Sequence, residues 1–227
     1  MKPISYILIA AWILIIIQTV VYSRFKLRGK GRTYTISKCA GSLIFTLTAL
    51  SGVIFVESLF GVLMLTGFVF SFAGDYFLSK QSGTGFLKAG IVAFQTAHLV
   101  FICTFFLFGG FFWWQGALLL ISVSVFPIIE KCASLSFLGQ RKLVYSYTVV
   151  VSVMVTAALS LPFAGKLSTP AAWLTATGAV LFYISDLLWA IYGFSPGKKY
   201  RVLKVMNVFL YFFGQMLMAT GVSAIGG

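Results

Sequence analysis

Residues 67–79 read GFVFSFAGDYFLS and residues 178–190 read GAVLFYISDLLWA. Both lie in apolar, aromatic-rich runs long enough to cross the roughly 30 Å hydrocarbon core of a bilayer. Each run carries one aspartate, Asp75 or Asp186, in a chain with only four acidic residues. A carboxyl group in a membrane span is costly by a few kcal/mol or more, so these two residues point to function.

The surrounding composition agrees with that reading. The chain of 227 residues is 60% hydrophobic and 9% charged, with mean hydropathy +1.01, which excludes a soluble domain and predicts an all-α integral membrane bundle. Eight transmembrane helices are expected, over residues 4–23, 36–54, 58–79, 86–108, 111–129, 142–163, 170–194 and 202–224. Loops are short, so residues 1–227 read as a single eight-helix domain. Lys2 before an apolar run resembles the start of a signal peptide. The run is long and lacks a small-residue cleavage pattern, which favours a retained helix.

A net charge of +13 raises nucleic acid as a partner, but the placement of the charges argues against it. Arg24, Lys26, Arg28, Lys30, Arg32 and Lys38 flank the first loop, and Lys80 and Lys88 the third. Lys131, Arg141 and Lys142 belong to the fifth, and Lys198, Lys199, Arg201 and Lys204 to the seventh. Lys2 and Lys166 alone fall on the other side. This asymmetry puts the odd-numbered loops in the cytoplasm and both termini outside. Cys39, Cys103 and Cys132 are widely spaced and read as packing residues, not as a disulfide or metal framework.

Gly67 precedes Asp75 by eight residues and Gly178 precedes Asp186 by eight, in the third and seventh spans. The chain is therefore a candidate for two parallel four-helix halves, whose two-fold axis along the membrane normal would bring both carboxyls to one cavity. At 1.5 Å per residue, Asp75 lies about 6 Å and Asp186 about 12 Å inside the cytoplasmic boundary. His98, the single histidine, lies roughly 15–18 Å from the same end of the fourth span. Asn207, Tyr211 and Gln215 are four apart on one face of the eighth, and Tyr147 lies just over one turn into the sixth. Ala89, Ala93 and Ala97, with Gly90, form a stripe that lets another helix close on His98. One polar cavity toward the inner leaflet is expected. Glu57 and Glu130, at span ends, read as solvated.

Several chemistries are absent. One histidine does not make a three-histidine zinc site, and no acidic cluster supports a magnesium-dependent phosphotransferase. The sequence has no G-x-S-x-G elbow and no Walker loop. Metal-free and cofactor-free acid–base chemistry, or proton-coupled transport, remains.

Further motifs are TISKCAGSLIF with Lys38, FAGDYFL with Asp75, and FLKAGIVAFQTAHLVFI with Phe86, Gly90, Phe94 and His98. YTVVVSVM follows with Tyr147 and Met154, then GAVLFYISDLLWAIYGF with Ser185 and Asp186, then YFFGQ with Tyr211 and Gln215. In order and spacing this set resembles the YhhN or lysoplasmalogenase family of eight-helix membrane proteins, over most of the chain. The resemblance implies hydrolysis of the vinyl-ether bond of lysoplasmalogens to a fatty aldehyde and glycerophospho-ethanolamine or -choline.

That reaction needs a general acid that holds its proton near neutral pH, which burial provides, and a second carboxyl that stays ionised. Asp75 and Asp186 are the expected pair, their individual roles open. His98 would orient one carboxyl or relay its proton. Tyr147, Tyr211 and Gln215 would position water or the glycerol hydroxyl, Lys38 would meet the phosphate, and Asn207 completes the expected substrate-binding set. The lysophospholipid's chain would lie among the Phe-rich helices, reached from the bilayer. Two other classes fit the same residues: a proton-coupled carrier using the carboxyls as a relay, and a non-enzymatic lipid-binding bundle. Short loops without targeting signals suggest a bacterial plasma membrane, with the endoplasmic reticulum as the alternative.

Overall fold

The computed structural model describes residues 3–29, 31–80, 83–137, 139–195 and 200–225. Helices occupy Pro3–Arg28 (α1), Arg32–Val56 (α2), Leu59–Ser79 (α3), Gly83–Phe108 (α4), Trp114–Ala133 (α5), Arg141–Ala158 (α6), Leu161–Ala164 (α7), Thr169–Phe194 (α8) and Arg201–Ser223 (α9). No strand occurs among the described residues. Helices satisfy every backbone group within their own segment, which hydrocarbon demands. With α6 and α7 as one segment, eight are long and apolar enough to span a membrane. This is a multi-pass integral membrane protein. Lys2, Lys30, Lys198 and Lys199, used above in reading the charge asymmetry, lie outside the described residues.

Local chemistry sets the ends. Ser58 caps α3 by accepting from the Gly61 amide at 3.0 Å, and Ser168 caps α8 by accepting from Ala171 at 3.3 Å. Glu57 takes a left-handed conformation (φ 48°) that closes α2, so two residues suffice to turn into α3. The sixth span is interrupted at Leu159–Ser160, where Pro162 next to the break cannot donate into the helical ladder. α1 runs to Arg28, about one turn past its expected end near residue 23, because its basic side chains can reach the interface while their stems stay apolar. α5 starts at Trp114 and not at 111, because the Phe112 amide is held in a turn by the Gln115 side chain at 2.6 Å.

Close helix approach relies on missing side chains. Gly178 of α8 and Gly214 of α9 face each other so tightly that a Cβ on either would fall within 2.5–2.7 Å of the other's carbonyl oxygen. On α3, Gly67 receives the Phe101 ring and Gly74 the Phe94 ring, while Gly90 of α4 receives Leu78. This interlock sets α3 closely on α4, with Gly74 at the contact beside Asp75.

α2 packs on α3 and α9, and α6 packs on α8 and α4; α3 pairs with α4 as α8 pairs with α9. Exchanging the first four spans for the last four maps each of these contacts onto another. Two parallel halves would give this neighbour pattern. The match is incomplete, since α1 also lies along α9, whereas α5 has no comparable contact with α4.

Candidate functional site

Seven helices converge on a cavity of about 600 Å³ at the end that carries the odd-numbered loops. The last turns of α1, α3 and α8 and the first turns of α2, α4, α6 and α9 form its wall. Both aspartates line it, with Lys38, Tyr147, Asn207 and Tyr211. His98 and Gln215 are fully buried behind the wall.

The two carboxyls have different surroundings. Asp75 is wholly buried, with Lys38 Nζ 2.7 Å from Oδ1. Its Oδ2 accepts from the hydroxyl of Ser42 and, at 2.5 Å, from that of Tyr211. Lys38 and Ser42 reach it together because they are one turn apart on α2. The ion pair meets one carboxyl oxygen and the two hydroxyl bonds the other.

Asp186 keeps 19% of its side chain exposed, toward the cavity. Its Oδ2 accepts from the Tyr147 hydroxyl. Behind Tyr147, His98 Nε2 lies 3.0 Å from the same hydroxyl and 4.0 Å from Asp186 Oδ2. With the phenolic proton given to Asp186, the phenolic oxygen accepts from Nε2–H, which fixes the imidazole tautomer. Phe182 holds that ring edge-on at 4.9 Å. His98 thus acts on Asp186 through Tyr147.

The neighbour pattern extends to these contacts. Asp75 on α3 is met from α2 and α9, and Asp186 on α8 from α6 and α4, the equivalent helices of the other half.

Asn207 donates to the Ser185 carbonyl at 2.7 Å and accepts from Tyr192 at 2.8 Å and Lys26 at 2.5 Å. Gln215, one turn beyond Tyr211, lies beside its hydroxyl without a well-formed hydrogen bond. Glu130 accepts from Tyr145 and pairs with Arg141 at 3.1 Å, away from the cavity. Cys39, Cys103 and Cys132 are free thiols. No group of three or more His, Cys, Asp or Glu that could hold a metal ion occurs among the described residues.

Three contributors escaped the sequence reading. Ser42 carried a usable signal, its four-residue spacing from Lys38. Lys26 read as a loop charge, because its place in the cavity depends on the extra turn of α1. Tyr192 was one aromatic among many.

The fold and cavity define a polytopic α-helical membrane protein with two carboxyl groups in contrasting polar clusters at one end of the bundle. Residues 33–222 match the model of the YhhN family, and the chain belongs to that family. No curated protein and no solved structure matches the chain.

Proposed function

We propose that this protein is a membrane hydrolase that cleaves the vinyl-ether bond of lysoplasmalogens, with Asp186 as its proton donor. The observation that carries the reading is the contrast between the carboxyls. Asp75 has an ammonium at 2.7 Å, whereas Asp186 has a phenol and an imidazole and faces the cavity. When two carboxyls share a site, the better-compensated one ionises and the other keeps the proton.

Tyr147 donating to Oδ2 leaves Oδ1 of Asp186 to carry that proton toward the substrate. Proton transfer forms a C–H bond at the alkene carbon distal to the ether oxygen, and the π electrons leave an oxocarbenium ion. Water adds to the cationic carbon and gives one proton back to the Asp186 carboxylate. The hemiacetal then collapses. Asp186 protonates the departing glycerol oxygen, and the carbon–oxygen bond breaks to leave an aldehyde still protonated on its hydroxyl. Asp186 finally recovers a proton from the hydroxyl. Asp75 and Lys38 set the charge of the site, so Lys38 is committed to Asp75 in this reading and not to the phosphate. The positive-inside pattern would open the cavity to the cytoplasm, in a bacterial plasma membrane.

The test is aldehyde release from a lysoplasmalogen by detergent-purified protein, with the saturated alkyl-ether lysolipid as control. Aldehyde from the vinyl ether alone is expected, falling at least about 10²-fold in Asp186→Asn, the scale of a lost general acid. Near-normal turnover in Asp186→Asn would overturn its role. The paired neighbour pattern of the halves favours a second reading, a proton-coupled carrier. Solute uptake driven by a pH gradient, without aldehyde, would put that reading first.

A further inference from the structure

Among the described residues, the cavity wall holds four lysines, Lys26, Lys38, Lys80 and Lys204, against two aspartates, so positive charge is in excess. Lys38 is taken by Asp75. Lys26 from α1 and Lys204 from α9 approach the same ring, with ammonium nitrogens 5.0 and 6.0 Å from the Tyr192 centroid. Lys26 is also tied to Asn207, which Tyr192 and the Ser185 carbonyl hold in place. Two ammonium groups brought to one half-buried ring repel each other, and an anion between them would relieve that repulsion. The wall from α4 and α6 carries an apolar patch, Leu87, Ile91, Phe94 and Val144, beside Thr84 and Tyr147. A cationic rim beside an apolar wall fits an amphiphile with one anionic group and one hydrocarbon chain.

We propose that Lys26 and Lys204, both close to Tyr192 and with Lys26 held by Asn207, form the subsite for the lipid's phosphate. The proposal rests on the hydrolase reading and deepens it, because the subsite acts as a ruler. Tyr192 follows Asp186 by six residues on α8, a rise of about 9 Å. In a lysoplasmalogen about seven bonds separate the distal vinyl carbon from phosphorus, or roughly 8 Å at about 1.2 Å per bond of extended chain. Asn207 ties Lys26 and Tyr192 to the Ser185 carbonyl, next to Asp186, so the subsite and the proton donor lie within the span of one such lipid.

The experiment measures binding without chemistry. The saturated 1-alkyl lysophosphatidylcholine, which cannot be cleaved, is titrated into the detergent-purified full chain, with uncharged 1-alkylglycerol as the matched ligand lacking phosphate. The K26M/K204M variant, which keeps the apolar stems, is expected to bind the phospholipid analogue at least about tenfold more weakly and the alkylglycerol unchanged. With lysoplasmalogen, KM should rise while kcat holds, since neither lysine touches the reacting atoms. Equal affinity of both proteins for the phospholipid analogue, or an equal loss for both ligands, overturns the proposal. So does displacement of the bound lipid by millimolar inorganic phosphate, which would mark a free-anion site. Wild-type protein alone gives a check that needs no variant. Added salt should weaken the phospholipid analogue and leave alkylglycerol unaffected, and equal salt dependence overturns the site. Loss of lipid binding in the variant with no aldehyde from wild type would sink the hydrolase reading and keep the subsite. Aldehyde with an unchanged KM would do the reverse.

Discussion

Replacing Lys38 by Met leaves the Asp75 carboxylate, wholly buried between α2, α3 and α9, without its cation. At 2.7 Å the pair attracts by about 6 kcal/mol for an effective dielectric constant of about 20. Breaking one side of such a pair costs about 3–5 kcal/mol, because the other charge stays buried. Asp75→Asn should cost a similar amount by stranding the ammonium. The double variant removes both charges, and the amide oxygen of the introduced asparagine could still accept from Ser42 and Tyr211. Its stability should therefore return to within about 1 kcal/mol of wild type. The coupling energy of this cycle would then be at least about 3 kcal/mol. Reversible SDS titration in mixed micelles, followed by tryptophan fluorescence, measures all four proteins. Turnover gives an independent reading of the same cycle. In Asp75→Asn the unpaired Lys38 can turn to Asp186 and strip its proton, so activity is lost. Removing Lys38 as well should restore turnover at least about tenfold over Asp75→Asn, about 1.4 kcal/mol of proton retention. Additive destabilisation, or a double variant no more active than Asp75→Asn, would refute the charge-setting role.

Tyr147→Phe deletes the hydroxyl between His98 and Asp186, and kcat should fall about 10–10²-fold, part of what general acid catalysis contributes. Adding His98→Ala to that variant should cost little more, because His98 reaches Asp186 through Tyr147; a further full-size drop in kcat would show an independent role. Gly178→Ala puts a methyl group 2.5 Å from the Gly214 carbonyl and should destabilise the α8–α9 pair by about 1–3 kcal/mol, read by the same SDS titration. An unchanged midpoint would mean that the two helices separate freely.

The membrane class, the eight spans and the exceptional placing of two aspartates within them follow from short-range rules. Hydrocarbon thickness sets the length of an apolar run, and the cost of a buried carboxyl marks it as exceptional, so both can be read one segment at a time. The places of Asp75 and Asp186 relative to their helix ends were legible for the same reason, since α3 ends at Ser79 and α8 at Phe194 as expected. Helix ends were less legible where side-chain reach or turns intervened, as at Arg28, Trp114 and the break before Leu161.

Which partner each polar group takes depends on how helices pack, and helical periodicity gives a face but not its neighbour. Lys38 read as a phosphate ligand until α2 met α3 and aimed it at Asp75. Gln215 shares a face with Tyr211, yet the cavity stops at Tyr211. Lys26 joins the site through Asn207, 181 residues away in the chain. The sequence determined that two carboxyls lie within a bundle of membrane helices. Their unlike environments, one with a lysine and one with a tyrosine–histidine chain, come from contacts between distant helices and were decided by tertiary structure alone.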